Sequence, residues 1–199
     1  RHRLPDGRAL LAFRGRITAY AGKPYIEVEH QFIHDEESAE LLLRSAELRF
    51  CPQRQGATHV ALGEGYYRTA IQQSDDTVEM TLDAETMLYE ENEHYVDCFY
   101  GDFWADWRDA RGGLTLSVYQ AQQNFPKALR ADADGIFCAL YPGNVPAAPV
   151  LRGMAKTHRL LLHFHGPETP LQDLSVRSLQ FQLPDLPALP RSWYRENNP

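Results

Sequence analysis

The sequence contains few cysteines, and their number and spacing exclude two frameworks that stabilise small domains. Three cysteines, Cys51, Cys98 and Cys138, stand among 199 residues, so they cannot form a closed set of disulfides. No two of them have the Cys-x-x-Cys spacing of a zinc site. Cys98 and Cys138 lie within apolar segments, which predicts small buried side chains, although one disulfide with one free thiol stays open.

Basic clusters and long apolar runs are also missing. The formal net charge is −7, and no run of Lys and Arg is long enough to follow a phosphate backbone, so we expect no nucleic-acid partner. The apolar runs are far shorter than the roughly 20 residues that cross a bilayer, so we expect no membrane partner. Gly63-Glu64-Gly65 lacks the Lys-Ser/Thr pair of a phosphate loop, and residues 34–38 lack the residue order of a calcium loop.

What the sequence does contain is a series of short segments in which apolar and polar residues alternate. Its 43% hydrophobic and 24% charged residues are ordinary for a globular protein. Turn signals that recur about every 8–12 residues are typical of a sandwich or a barrel. We therefore predict an all-β fold, an antiparallel β-sandwich with short helical turns only. The predicted strands are Ala9–Tyr20 and Tyr25–Ile33 (a hairpin), Ala46–Phe50, Thr58–Leu62, Tyr66–Gln73, Thr77–Leu82, Gly112–Tyr119, Gly135–Tyr141, Gly153–His165 and Leu174–Leu183.

The two ends of the sequence predict a domain within a longer protein. The chain has no initiator methionine and no signal peptide, and its tail is rich in proline. We expect residues 1–190 to form a single β-sandwich domain cut from a longer multidomain protein. Residues 184–199 are predicted to be a proline-rich exit linker, since such a composition favours an extended chain.

The longest predicted strand, Gly153–His165, carries ionisable side chains at its start. Alternate side chains of a strand point to opposite faces, so Lys156 and His158 share one face with Leu160 and Leu162. This face is ionisable at its beginning and apolar further on, as in a strand that starts at a cleft and runs into a core. Solvated structural side chains would give the same pattern, so the pattern alone leaves both interpretations open.

Residues 90–111 combine aromatic rings with carboxylates. Trp104 and Trp107 stand between Asp102, Asp106 and other residues of both kinds. The others are Tyr95, Asp97, Phe99, Tyr100, Phe103 and Asp109. Sugar-binding clefts use this combination, because rings stack on a pyranose while carboxylates accept hydrogen bonds from its hydroxyls. Aromatic side chains that pack the end of a sandwich, with aspartates facing water, would give the same composition.

Several segments, in order, resemble one family. They are Gly101–Phe103 with Gly112–Val118, then Asn124–Leu129, then Gly153–His158 before an apolar strand, and finally Pro190–Tyr194. Together they resemble the central β-sandwich domain of the exo-rhamnogalacturonan lyase/YetA-like family over most of the chain. The Ala-Lys-Thr-His stretch is the most specific part.

The resemblance implies a position between two other domains and a pectin substrate. Relatives carry an N-terminal barrel-like domain, this sandwich and a C-terminal α/α toroid, so flanking domains of the same chain are expected partners. The family's activity is β-elimination at the galacturonate of rhamnogalacturonan, which makes a polysaccharide or oligosaccharide the expected ligand and favours a location outside the cytoplasm. The sequence departs from the pattern at Arg159, where relatives are expected to have an acidic residue.

β-Elimination needs a base, a cation for the uronate carboxylate and an acid for the leaving oxygen. Lys156 or His158 is the candidate base or carboxylate partner, and Tyr119 the candidate acid. Arg108 is a candidate for bidentate carboxylate binding, and Asp102 or Asp106 for orienting His158 or holding calcium, although no calcium motif supports a metal or other cofactor. Trp104 and Trp107 would be the stacking platform.

Three hypotheses follow from these residues. The chain lines the cleft of a lyase, or it is a non-catalytic carbohydrate-binding module, or it is a spacer between a barrel and a toroid. In each case we expect the isolated domain to have no lyase activity.

Overall fold

The computed structural model describes residues 2–3, 6–65, 70–83, 102–183 and 191–197, and strands dominate it. The strands are β1 (His2–Arg3), β2 (Ala9–Leu10), β3 (Ala12–Ala19), β4 (Tyr25–Ile33), β5 (Glu40–Leu43), β6 (Ala46–Phe50), β7 (His59–Gly65), β8 (Ala70–Ser74), β9 (Val78–Leu82), β10 (Asp102–Asp109), β11 (Gly112–Val118), β12 (Lys127–Asp132), β13 (Gly135–Tyr141), β14 (Ala148–Leu151) and β15 (Ala155–His165). A 3-10 turn spans Gln122–Asn124, and the helices are α1 (Leu171–Gln182) and α2 (Arg191–Asn197).

The strands form two main antiparallel sheets. The seven-stranded sheet has the order β3-β4-β15-β11-β10-β7-β8, and the four-stranded sheet has the order β6-β13-β12-β9. Two small ribbons, β1-β2 and β14-β5, stand beside them. The predicted all-β sandwich with short helical segments is therefore confirmed, as is the hairpin of β3 and β4, which are paired antiparallel.

The hydrophobic core lies between the two main sheets. It uses alternate residues of each strand, as the period-two pattern of a half-buried strand requires. In β10, for example, Phe103, Ala105 and Trp107 face the core. Members from the other strands include Val60, Leu62, Val78, Leu82, Leu114, Leu116, Val118, Leu129, Ala131, Ile136, Cys138, Leu140, Leu160 and Leu162.

One predicted strand is wrong. Residues 174–182 of the predicted strand Leu174–Leu183 belong to a helix, because α1 spans Leu171–Gln182. The side chains that α1 buries are Leu174, Ser175, Ser178 and Gln182, which follow helical spacing but include only one apolar residue. The apolar pattern of a buried helix is therefore absent from this segment.

Gly63-Glu64-Gly65, which separates two predicted strands in the sequence, also lies inside an element. It forms the end of β7 and pairs with β10. The ring of Trp104 occupies the space that a side chain at position 63 would need, since an ideal Cβ on Gly63 would lie 2.2 Å from Cε2 of Trp104. This close approach explains a glycine inside the strand.

Several predictions lie outside the described residues. They concern Cys98, the beginning of the predicted strand Tyr66–Gln73, the aromatic residues Tyr95, Phe99 and Tyr100, Gly101, and the proline-rich residues 184–190. Of the other two cysteines, Cys138 is buried, as predicted, and Cys51 is exposed; both are free thiols. Burial raises the pKa of the Cys138 thiol to about 12.

Candidate functional site

Strand β15 places the predicted bases on the core side of the seven-stranded sheet. It pairs with β4 and β11, and Lys156 and His158 stand opposite Phe32 and His30 of β4. His158 is buried, with only 6% of its surface exposed, and Lys156 is half-buried. Further along the same face, Leu160 enters the hydrophobic core. The alternation predicted from the sequence is confirmed.

Both side chains line a cavity of about 310 Å³ at one end of the sandwich, which we name the basic pocket. A second lysine, Lys127 at the start of β12, lines it too. The remaining walls are mostly apolar and include aromatic rings. They are Phe32, Leu43, Ala46, Asn124, Phe125, Pro126, Leu140, Tyr141, Ala148, Pro149, Val150 and Met154.

The basic pocket is unbalanced in charge. None of the described residues that line it is an aspartate or a glutamate. Burial and the positive charge of Lys156 lower the pKa of Lys127 from 10.5 to about 7. Burial, Lys127, Lys156 and His30 together lower the pKa of His158 from 6.5 to about 3, so its imidazole is neutral near pH 7. Burial also lowers the pKa of Lys156.

Sequence reasoning missed Lys127. The side chain is buried, with 2% of its surface exposed, and its Nζ donates hydrogen bonds to the carbonyls of Asn124 and Pro126. A signal was available, since Lys127 shares one face of β12 with Leu129 and Ala131, both of which are fully buried. Alternation therefore assigns Lys127 to the core side.

The structure does not bring Tyr119 to Lys156 and His158. Tyr119 follows β11, and its backbone N–H donates to the carbonyl of Arg159. The side chain of Arg159 points to the opposite face of the sheet from His158, because the two residues are consecutive in β15. There its ring lies 4.7 Å from the Arg159 guanidinium and 5.4 Å from the ring of Phe181 in α1. Tyr119 lines a different cavity, of about 170 Å³. Base and acid candidates are thus separated by the sheet.

Asp106 orients a histidine, but the histidine is His165 rather than the predicted His158. Asp106 Oδ1 accepts from His165 Nε2 and from Thr115 Oγ1, both at 2.7 Å. Its Oδ2 accepts from Arg108 Nε at 2.8 Å. The carboxylate is 1% exposed and both its oxygens are engaged, which fits a structural ion pair better than an open calcium or sugar site.

The guanidinium of Arg108 is likewise engaged in hydrogen bonds within the protein. Besides Asp106, its Nη1 donates to the carbonyls of Pro167 and Thr169 at 3.1 and 2.8 Å. These contacts fix the loop that leads into α1. The bidentate uronate clamp predicted for Arg108 would have to break them.

The two tryptophans do not form an exposed platform. Trp104 is fully buried, and Trp107 is 3% exposed. They are three residues apart in one strand, so they point to opposite faces: Trp107 to the core and Trp104 towards α1, where its Nε1 donates to Ser175 Oγ at 3.0 Å. The same nitrogen lies 3.0 Å from Oδ2 of Asp102, which is also fully buried. A sugar cannot stack on the fully buried ring of Trp104, and Trp107 exposes only 3% of its surface, at a separate cavity of about 550 Å³.

Within the described ranges, no three His, Cys, Asp or Glu side chains are grouped so that they could hold a metal ion. The helices of those ranges are all too short or too polar to cross a membrane.

No protein-family model matches the sequence, and a search of curated proteins gives no match. Among solved structures, the chain is similar to the crystal structure of a proposed aldose 1-epimerase from Escherichia coli K12, with 12% sequence identity and a TM-score of 0.35. The alignment covers 83% of this chain and 64% of that one, so this chain spans less than two thirds of that neighbour's length. A similarity at this level does not bear on activity.

Proposed function

We propose that this chain is the sandwich domain of a polysaccharide-lyase-like protein and that its basic pocket binds the carboxylate of a uronate unit in a pectin such as rhamnogalacturonan. The observation that carries the proposal is the convergence of Lys127, Lys156 and His158 on one cavity whose described lining contains no carboxylate. Lysines that are buried or half-buried without a counter-charge are costly to keep protonated, so a pocket that holds two of them favours an anionic ligand.

The walls of the basic pocket support a sugar acid over a bare inorganic anion. The cavity of about 310 Å³ lies at the lower end of the size range of small-molecule sites. Phe125, which is 41% exposed, and the half-buried Tyr141 offer ring surface, and Asn124 offers an amide. Aromatic and amide groups beside a cation suit the apolar face, the hydroxyls and the carboxylate of a uronate.

The arrangement favours binding over complete catalysis. Lys156 and Lys127 supply a carboxylate partner and a candidate base, but Tyr119, the candidate acid, is on the other face of the sheet. A lyase built on this pocket would take its acid from elsewhere, as a cleft shared with a flanking domain would allow. A non-catalytic carbohydrate-binding module would use the same pocket, whereas a spacer would need no ligand.

Calorimetric titration of the whole chain tests the proposal. We expect saturable binding of galacturonate-containing oligosaccharides and of rhamnogalacturonan fragments, and at least tenfold weaker binding of their carboxyl-reduced forms, since a lost charge pair of about 1.4 kcal/mol is tenfold in affinity. Lys156→Met should weaken acidic-sugar binding about tenfold. The matched control is Lys23→Met, which alters an exposed lysine in the β3–β4 turn.

Equal affinity for acidic and carboxyl-reduced sugars would contradict the uronate proposal, and no binding of either would favour the spacer. The same mixtures, followed by ultraviolet absorbance, should show no unsaturated uronate product from this chain alone.

A further inference from the structure

We propose that Lys127 is a nucleophilic amine that condenses with the carbonyl group of a small aldehyde acid or 2-oxo acid to form an imine inside the basic pocket. This activity uses the pocket of the proposed function but does not depend on uronate affinity.

The hydrogen bonds of Lys127 suit a neutral amine. Its Nζ has two acceptors, the carbonyls of Asn124 and Pro126. A neutral amine has two N–H donors and one lone pair, so two carbonyls satisfy both donors and leave the lone pair free to attack. Among the described residues that line the pocket there is no carboxylate, so no ion pair there holds Lys127 in the ammonium form.

Burial and the charge of Lys156 lower the pKa of Lys127, and Cys138 acts against them. Lys156 and His158 face it from β15, and His30 of β4 lies beyond His158. From β13 come Cys138, whose thiol stays protonated because its pKa is raised to about 12, and Tyr141. The carboxylate of Glu47 in β6 acts on Cys138 rather than on Lys127.

With its pKa lowered to about 7, a large share of Lys127 is neutral near pH 7. An ordinary lysine is neutral in only roughly one molecule in a few thousand at that pH. Burial in an apolar pocket next to another cation is the environment that activates lysine as a nucleophile.

The rest of the pocket selects the ligand. Lys156, half-buried on β15 of the facing sheet, is the residue that would hold a carboxylate while Lys127 attacks the carbonyl carbon. The apolar walls, among them Phe32, Leu140 and Val150, offer no polar side chain to hydrate the imine that forms. A small carbonyl compound that carries a carboxylate meets both requirements.

The step balances without a further reagent. The lone pair of Nζ forms an N–C bond as the carbonyl π bond breaks, and the oxygen takes one N–H proton to give a carbinolamine. Loss of the hydroxyl with the second amine proton releases one water and leaves a C=N bond. Nothing is oxidised or reduced.

The experiment uses the small number of lysines in the chain, which are Lys23, Lys127 and Lys156. The chain is incubated at pH 7 with glyoxylate or pyruvate and sodium cyanoborohydride, which reduces an imine to a stable amine, and the adduct is located by peptide mass mapping. We expect an adduct on Lys127 that forms at least tenfold faster than any adduct on Lys23. Lys127→Arg should abolish it, and Lys156→Met should slow it.

A measurement on the unaltered chain guards against variants that fail to fold. In competitive labelling with trace acetic anhydride, the reactivity of Lys127 should rise with a midpoint near pH 7, well below the pH at which an ordinary lysine becomes reactive. Labelling of Lys127 no faster than Lys23, or an adduct on Lys156 instead, would overturn the proposal. The oligosaccharide titration is a separate measurement. Imine formation without uronate binding would contradict only the proposed function, and uronate binding without an imine would contradict only this inference.

Discussion

At the scale of single residues, Gly63 and Trp104 show how one missing Cβ positions a buried ring. Gly63 stands opposite Trp104 in the pairing of β7 with β10. Three atoms of the indole lie within 2.4 Å of the place where a Cβ would be. Because the indole is fully buried and hydrogen-bonded to Ser175, it has no free space into which it could move.

We therefore expect Gly63→Ala to lower the free energy of unfolding by about 1–3 kcal/mol, the usual cost of overpacking a core. Urea unfolding at equilibrium measures it. The matched control is Gly15→Ala in β3, where an added Cβ meets nothing within 4 Å. The control should be neutral or slightly stabilising, since alanine restricts the unfolded chain more than glycine does. Equal effects of both substitutions would show that the contact with Trp104 is not what excludes a side chain at position 63.

At the scale of elements, helix α1 is attached to the sheet by polar contacts. Gln182, which is 5% exposed, donates from Nε2 to the carbonyl of Val118 at 2.8 Å and accepts from the backbone N–H of Gln120 at 2.7 Å. Ser175 receives the hydrogen bond of Trp104, and Leu174 is the fully buried apolar contact. These bonds satisfy the chain at the end of β11, where the sheet ladder stops.

Gln182→Ala should lower the free energy of unfolding by about 1–3 kcal/mol, because it leaves a buried backbone donor and acceptor without partners. Gln180→Ala alters an exposed glutamine two residues earlier in the same helix and should change it by less than about 0.5 kcal/mol. Thermal unfolding of both variants, compared with the unaltered chain, measures the difference. Similar small effects would mean that α1 does not depend on these two bonds.

At the scale of the whole molecule, a buried and a half-buried histidine link stability to pH. Burial and neighbouring charges lower the pKa of His158 to about 3 and that of His163 to about 4, from 6.5. Between these values and 6.5, the unfolded chain binds protons that the native chain does not. The stability that the neutral imidazoles allow is therefore complete above pH 6.5 and is lost as the pH falls towards 3.

For His158 alone, acidification from pH 7 to pH 4 should cost on the order of 3 kcal/mol of unfolding free energy. His158→Gln, which cannot take up the proton, should flatten the curve of stability against pH by that amount. Exposed His59→Gln is the control. Urea unfolding at intervals from pH 7 to pH 4 gives the curves, and parallel curves for His158→Gln and the unaltered chain would refute the assignment.

The sequence predicts a feature of the structure when the feature follows from the spacing of residues within one strand or helix. The alternation in β15 placed Lys156 and His158 on the core side, and the same rule applied to β12 would have placed Lys127 there too. The buried side of α1 could not be recognised from the sequence, because two of the residues it buries, Ser175 and Gln182, are polar. Their hydrogen-bond partners are the indole of Trp104 and backbone groups at the end of β11, which are distant in sequence.

The sequence by itself determined the sandwich, because period-two burial is a property of each strand and needs no knowledge of its neighbours. It also determined which face of β15 carries Lys156 and His158. Only the tertiary structure decided that Trp104 and Trp107 are buried on opposite faces, that Asp106 holds His165, and that Tyr119 is separated from the two bases. Only the tertiary structure decided, too, that Lys127 lines the same pocket as Lys156 and His158. That convergence depends on which strands face each other across the sandwich, and the packing of the two sheets determines this, not the pattern within any one strand.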